Sequence, residues 1–319
     1  MLPLLVRHYG EPFADSSAIP TYYLSQLTRQ HVTVALSGDG GDEAFGGYER
    51  YAAMRLGAAF DAWPRPLRAA FRAVAGLLVH GLPTAQPKTR LRRLRRFVEA
   101  LSLPTAERYI QWIAYFKQAD KAGLYTDEFA ARLGGSDAAS YLAAEFAKFL
   151  PIVGGASLPR ESGVVFATSR VDAATYLPND ILTKVDIASM ANSLEVRSPF
   201  LDHKVMSFGL SLPTRLKMGR FGTSTKKLLR AAFADLLPPE IRRRGKMGFG
   251  VPIAHWLRGE LSGYVRDLLL SPECLGRGYF REETIRRLIE EHQAARADHA
   301  DRLWALLNLE LWHREFLPS

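Results

Sequence analysis

Residues Val32-Thr-Val-Ala-Leu36 form a short, apolar, β-branched run that leads directly into a loop crowded with glycine and acid, Ser37-Gly-Asp-Gly-Gly-Asp-Glu-Ala-Phe-Gly-Gly-Tyr48. A run of that composition, bounded by glycines, reads as a buried strand. Just before it, the apolar spacing of Tyr23, Leu24 and Leu27 predicts a helix between Tyr22 and Gln30. A helix feeding a buried strand is half of an α/β unit, and in open α/β sheets ligands bind beyond the carboxyl ends of the strands. The loop that begins at Ser37 stands at that place.

Its residue types suit phosphate and a divalent cation. Gly38, Gly40 and Gly41 allow close backbone approach and positive φ. Asp39, Asp42 and Glu43 place three carboxylates within five residues, an arrangement that is unfavourable unless positive charge sits among them. Hard oxygen ligands on a glycine-rich loop fit Mg²⁺ bound to phosphates. A solvated Asp-Gly turn explains a shorter stretch, but not Ser37 ahead of it and Phe45-Gly46-Gly47-Tyr48 behind it.

The remaining sequence is read mainly as helix. Expected helices lie at 106–117, 138–150, 180–192, 224–236, 262–270, 282–295 and 300–314, with one further strand at Gly163–Ala167. Leu91, Leu94, Val98 and Leu101 recur at helical spacing, with Arg92, Arg93, Arg95 and Arg96 on the other faces. No aromatic residue interleaves with those arginines to stack bases, so they read as a solvated face, not a nucleic-acid strip.

The chain has 319 residues, 47% of them hydrophobic, enough to bury one large core or two small ones. Its net charge of +9 favours anionic partners, and a polyphosphate substrate satisfies that bias as well as nucleic acid does. The single cysteine, Cys274, rules out an intramolecular disulfide and has no neighbour that would activate a thiol. The apolar opening Met1–Val6 is stopped by Arg7 and His8, and no run reaches the roughly 18 apolar residues of a membrane span. The expected compartment is the cytoplasm, with no membrane or nucleic-acid partner. His292 and His299 lie near one helix face without a carboxylate or cysteine to complete a zinc set, and are expected at the surface.

Three further stretches carry charge in unusual density. Leu177-Pro-Asn-Asp-Ile-Leu-Thr-Lys-Val-Asp-Ile-Ala-Ser-Met-Ala191 runs into Leu194-Glu-Val-Arg-Ser-Pro-Phe-Leu-Asp202. Pro178 suits a helix start. Lys184 and Asp186 are two apart and cannot face each other, so each meets something else. Glu195, Arg197 and Asp202 are expected to form buried ion pairs that fix a loop, with direct substrate contact as the alternative. Thr225-Lys-Lys-Leu-Leu-Arg230 is expected on a helix with Leu228 and Leu229 inward and Lys226, Lys227 and Arg230 left for solvent or a ligand. Arg242-Arg-Arg-Gly-Lys-Met-Gly-Phe-Gly-Val-Pro252, followed by His255-Trp256, is a basic glycine-rich loop able to close over polyphosphate.

Taken together these motifs resemble the synthetase domain of the glutamine-hydrolysing asparagine synthetase family. Ser37–Tyr48 is similar to its second signature, Lys-x-Asp-x-x-Ser-Met-Ala followed by Leu-Glu-x-Arg-x-Pro-Phe-Leu-Asp to a pattern characteristic of it, and the 242–256 loop to its Arg-x-Lys-x-Gly-Phe segment. The resemblance implies an α/β remnant of an adenine-nucleotide α-hydrolase-like (ATP pyrophosphatase) domain, predominantly α-helical. Residues 1–319 would be a partial asparagine synthetase domain, with 1–52 from the nucleotide-binding α/β layer and 53–319 the mainly helical part.

The implied reaction activates a carboxylate, that of aspartate or a relative, with ATP and Mg²⁺ to an acyl-adenylate. Ammonia from a glutaminase domain or subunit outside this chain then attacks it, and an oligomer is compatible with the scheme. The implied catalytic residues are Lys226 and Asp39, the metal ligands Asp39 and Asp42, and the cofactor-binding set Ser37, Gly38, Asp39, Asp42, Lys226 and Lys246. The family's pyrophosphate loop, Ser-Gly-Gly-x-Asp-Ser, is not among these residues, and Leu133-Gly-Gly-Ser-Asp137 only permutes it. The expectation is therefore of a synthetase domain truncated at its N-terminus, inactive until that loop is supplied. A relative acting on another carboxylate in a polysaccharide or secondary-metabolite pathway, and a non-catalytic remnant, stay open as alternatives.

Overall fold

The computed structural model describes residues 1–80, 90–135, 137–154, 160–219, 224–243 and 248–317. Among them the one sheet is a parallel pair, β1 (Val34–Leu36) and β2 (Glu195–Arg197), in the register Val34↔Glu195, Ala35↔Val196, Leu36↔Arg197. Everything else regular is helical. The helix Ala18–Arg29 precedes β1 as expected. The strand itself is shorter than 32–36 and is not buried: Leu36 is 74% exposed, and Val32 and Val34 are open as well. The helix Thr183–Met190 packs beside β2 and leaves these side chains uncovered.

The expected strand at Gly163–Ala167 is instead the middle of the helix Arg160–Ala174. Its Val164, Ala167 and Val171 join Met54, Ala58, Tyr109 and Phe146 in one buried cluster, while Val165 faces a second cluster with Tyr51 and Met218. A helix covered on two faces shows an unbroken apolar run, which periodicity alone cannot distinguish from a buried strand. The other expected helices are present, with shifted ends, at Thr105–Ile113, Ala138–Gly154, Thr183–Met190, Ser262–Leu269, Glu282–Gln293 and Ala300–Phe316. A π-helical turn over Leu177–Leu182, with Pro178 in its first turn, leads into Thr183–Met190.

The largest core joins the two ends of the chain. The helix Leu2–Tyr9 inserts Leu5, Val6 and Tyr9 against Leu303, Leu307 and Leu311 of the C-terminal helix. The arginines of helix 90–100 serve the fold: Arg93 pairs with Glu49, Arg95 with Glu99, and Arg96 donates to the carbonyls of Gln111 and Trp112. No helix among the described residues is long and apolar enough to cross a membrane.

His292 is not at the surface. It is fully buried, its Nδ1 accepts the His299 backbone N–H at 3.1 Å, and the ring proton is therefore on Nε2, facing the Ala254 carbonyl at 3.2 Å. His299 is largely covered too and pairs with Glu291 at 2.7 Å. Burial also pushes the Cys274 thiol up to about 12, with Glu310 adding to the effect, so it is inert as a nucleophile.

Candidate functional site

Parallel pairing of β1 with β2 brings two of the motif stretches side by side. Ser37 N–H donates to the Arg197 carbonyl at 2.9 Å, and the Ser37 hydroxyl lies against that of Ser198. The same hydroxyl donates to Asp39 Oδ2 at 2.7 Å, which orients that half-buried carboxylate at the strand's end. Gly40 then turns the chain at φ 82, and a Cβ there would lie 2.5 Å from Leu201 Cδ2. Only glycine meets both conditions. The short helix Gly41–Phe45 follows, seated on Phe200.

Asp42 receives Lys226, from the other end of the motif set, at 2.9 Å. The pair lies against the backbone of Gly47: a Cβ at that position would stand 1.7 Å from Asp42 Oδ1 and 2.6 Å from Lys226 Cε. Lys226 was expected within a helix, but it immediately precedes one, Lys227–Ala232, in the left-handed region at φ 51. A non-glycine residue there is strained by about 1–3 kcal/mol and persists only where surrounding contacts hold it, a pattern concentrated at functional sites. Asp42 supplies such a contact.

Behind the loop lies a buried polar network. Glu43 turns inward, almost fully buried, and accepts a hydrogen bond from Tyr48 at 2.7 Å. Burial raises its pKa and the tyrosine bond only partly offsets this. Glu43 thus faces away from the ligand side that the sequence pattern had offered it. Arg50 stacks over the Tyr48 ring at 3.9 Å and the Tyr176 ring at 4.6 Å, and pairs with the buried Asp172 at 3.0 Å. Asp172 also accepts the Tyr109 hydroxyl.

Next to it, Lys184 meets Asp15 at 2.7 Å, and Asp15 also accepts from Ser17. Burial works against ionising Asp15, but Lys184 and Ser17 outweigh it and hold the carboxyl below its usual range. Asp180 goes the other way: burial and the neighbouring Asp15 charge push it up to about 6. A carboxylate poised there can take or release a proton near neutrality, as active-site groups do.

The structure therefore joins Ser37 with Asp39, and Asp42 with Lys226, while Gly38 faces open space. Lys246 lies outside the described residues, as does Ser136 of the permuted glycine run. Glu195 and Arg197 do pair, at 2.7 Å, but on the surface, and Asp202 caps the helix His203–Ser211 through the N–H groups of Lys204 and Val205. They fix the loop without being buried. Asp15, Arg50, Asp172 and Asp180 were not singled out by sequence. The one signal among them is Asp180 standing four residues before Lys184, a spacing that shares a helix face.

Mg²⁺ commonly takes one or two carboxylates and completes its shell with water and substrate phosphates. Asp39 and Asp42, both partly open, fit that demand; the inward Glu43 does not. No group of three or more potential metal ligands is gathered among the described residues, so the phosphates would have to supply the rest of the shell.

The sequence model of the asparagine synthase family matches residues 1–314. Asparagine synthetase [glutamine-hydrolyzing] 1 of Bacillus subtilis (strain 168) is 33% identical over 312 residues, covering 98% of this chain and 45% of that protein. The asparagine synthetases [glutamine-hydrolyzing] of Gallus gallus and Rattus norvegicus match 39% of this chain and 24% of their own length, at 34% and 33% identity. The chain thus spans less than half the length of these curated relatives.

Proposed function

The chain belongs to the asparagine synthase family, and from that premise we propose that it carries out ATP-dependent amidation of a carboxylate. The acceptor is aspartate or a related acid. Its carboxylate oxygen attacks the α-phosphorus of ATP and pyrophosphate leaves; ammonia then attacks the acyl carbon, and AMP leaves with the C–O bond. Residues 1–52 contribute part of an adenine-nucleotide α-hydrolase-like layer, and 53–319 form the mainly helical remainder. Ammonia comes from glutamine through a glutaminase domain or subunit.

Supporting this reading above all is the ion pair between Asp42 and Lys226, held at 2.9 Å over a glycine that admits no side chain. Lys226 is a fixed cation for charge developing on the departing pyrophosphate, and a cation already in place needs no reorganisation during reaction. Asp39 and Asp42 would hold Mg²⁺, which neutralises polyphosphate charge when bound. Ser37 and the open Gly38 give phosphate oxygens a close approach. Asp39, oriented by Ser37, would take its catalytic part as one of the two carboxylates that hold Mg²⁺ beside the reacting phosphates. Lys246 is assigned to the polyphosphate as part of the basic loop.

ATP–pyrophosphate exchange tests it. The 319-residue chain is assayed alone and together with a segment bearing the family's Ser-Gly-Gly-x-Asp-Ser loop, with a panel of carboxylates. Carboxylate-dependent exchange is expected in the second case, and Asp42→Asn or Lys226→Met should lower it at least 100-fold. Absence of exchange with the segment supplied would leave the non-catalytic alternative, and exchange that survives both substitutions would overturn the roles given to Asp42 and Lys226.

A further inference from the structure

The helix Arg65–His80 turns its apolar side away from the protein. Its Leu67, Ala70, Phe71, Val74, Leu77 and Leu78 fall within an arc of about 120° around the helix axis. A surface helix of a globular protein buries such a stripe against its core. Here Leu67, Val74, Leu77 and Leu78 are 57%, 59%, 81% and 72% exposed. Phe71 alone among them has ring partners, Phe60 and Trp63, with centres 5.5 and 5.9 Å away. The positions turned half-inward, where the helix lies against Arg90–Ala100, are Arg68, Ala75 and Gly76.

Charge collects in the same place. The segment from Arg65 to Ala100 holds nine arginines and lysines against one acid, Glu99, so eight of the chain's nine net positive charges lie within 36 residues. Neighbours answer some of them: Asp61 faces Arg68 at 3.9 Å and Glu49 takes Arg93 at 2.8 Å. Arg65 and Arg72 are exposed, with no acid paired to either among the described residues.

Two occupants of the apolar arc differ in how they meet that charge. A second copy of this chain, seated on the same helix by two-fold symmetry, would bring the two basic segments together and be repelled. A bilayer surface rich in acidic phospholipid meets both demands, since its headgroups attract arginine and its acyl boundary takes up the leucines.

We propose that the helix Arg65–His80 is a membrane-surface anchor. It lies in the headgroup layer of an anionic bilayer, with Leu67, Val74, Leu77 and Leu78 in the acyl boundary and Arg65 and Arg72 reaching back to the phosphates. A helix in the interface needs no run long enough to span, so the length argument that set membranes aside bears on crossing only. The contact is peripheral and reversible, and it goes beyond the amidation reading without depending on it.

Vesicle flotation of the 319-residue chain tests it, with phosphatidylcholine alone and with phosphatidylcholine and phosphatidylserine at about seven to three. Partition onto the acidic vesicles should exceed that onto the neutral ones at least about tenfold and fall with salt. Leu77→Glu/Leu78→Glu should lower it roughly 100-fold, and Arg65→Gln/Arg72→Gln about tenfold. Leu236→Glu/Leu237→Glu makes the same charge change at another exposed leucine pair and should bind as the parent does. Urea unfolding separates lost binding from lost folding; should Leu77→Glu/Leu78→Glu prove unstable, the arginine pair carries the test. No partition onto acidic vesicles, equal partition onto neutral ones, or partition that survives the helix substitutions would overturn the proposal. So would an equal loss in Leu236→Glu/Leu237→Glu, or a dimer in sedimentation that Leu77→Glu/Leu78→Glu dissolves. Flotation reads no ATP chemistry, so this test and the exchange test fail separately.

Discussion

Replacing Gly47 by alanine adds one methyl group at the point where the Asp42–Lys226 pair touches the backbone. Gly47 is not among the positive-φ glycines, so alanine suits its backbone and the whole effect falls on the two side chains. The new Cβ would lie 1.7 Å from Asp42 Oδ1 and 2.6 Å from Lys226 Cε. Since non-bonded atoms rest at about 3.5 Å, the carboxylate must retreat by well over 1 Å and the lysine by roughly 1 Å. The pair is partly exposed, with side chains 31% and 21% accessible, so solvent screening limits its worth to about 1 kcal/mol or less. Misplacement by about 1 Å of groups that position a reacting phosphate can cost roughly 100-fold in rate. The expected signature is therefore exchange activity down about 100-fold with stability down by no more than about 2 kcal/mol. Exchange is measured with the loop-bearing segment supplied, and stability by urea unfolding of the same preparation. Gly76→Ala is the control: it lies in the helix Arg65–His80 with open space at its Cβ, and should gain about 0.5–1 kcal/mol without changing exchange. Exchange within fivefold of the parent in Gly47→Ala would refute the role given to the pair, and a stability loss above about 4 kcal/mol would make it a folding element instead.

Two pH-dependent outcomes follow from buried charges. Lys217, 2% exposed behind Gly46, has its pKa pushed down from 10.5 to about 7 by burial and by Arg170. The folded chain then binds fewer protons than the unfolded chain between about 7 and 10.5, so its stability rises with pH across that window, by an upper bound of roughly 5 kcal/mol. Lys217→Met should flatten that rise and be the more stable protein at pH 6, as read by urea midpoints; an unchanged slope contradicts the burial argument. For Asp180, raised from 3.8 to about 6, the folded chain holds the extra proton and stability falls as pH climbs through that interval. Asp180→Asn should therefore match the parent below pH 4 and exceed it at pH 7 by an upper bound of about 3 kcal/mol, and equal stability at both pH values would count against a raised carboxyl.

What the sequence exposes of this molecule is what neighbours in sequence accomplish together. The loop 37–48 is legible because glycine, serine and acid act locally, through the Ser37–Asp39 bond and the turn at Gly40. Lys226 is legible only through its motif, and its backbone conformation is not, since a left-handed lysine depends on a carboxylate far away in the chain. His292 and Asp180 lie beyond local reach for the same reason. A buried imidazole is tolerated because a carbonyl from 254 and an N–H from 299 satisfy it, and Asp180 is shifted by its burial and by Asp15, which arrives from the chain's opening segment. The misread strand at 163–167 shows the converse, in which an apolar run is buried by partners on two sides and loses its helical signature.

Those dependencies meet in the parallel pair. Both β1 and β2 show their side chains as exposed, half-buried, exposed, so no burial pattern pins their register, and a strand without such a pattern is prone to slip. What holds it is the fit beyond the strands, where Gly40 and Gly41 close on Leu201 and Phe200 with room for no side chain at the first. A slip by one residue would reverse the facing of every side chain along β1 and separate Ser37 from Ser198. The glycines of the loop therefore do more than admit a ligand: they lock the strand register that aims Asp39, and through the following short helix they set where Asp42 meets Lys226.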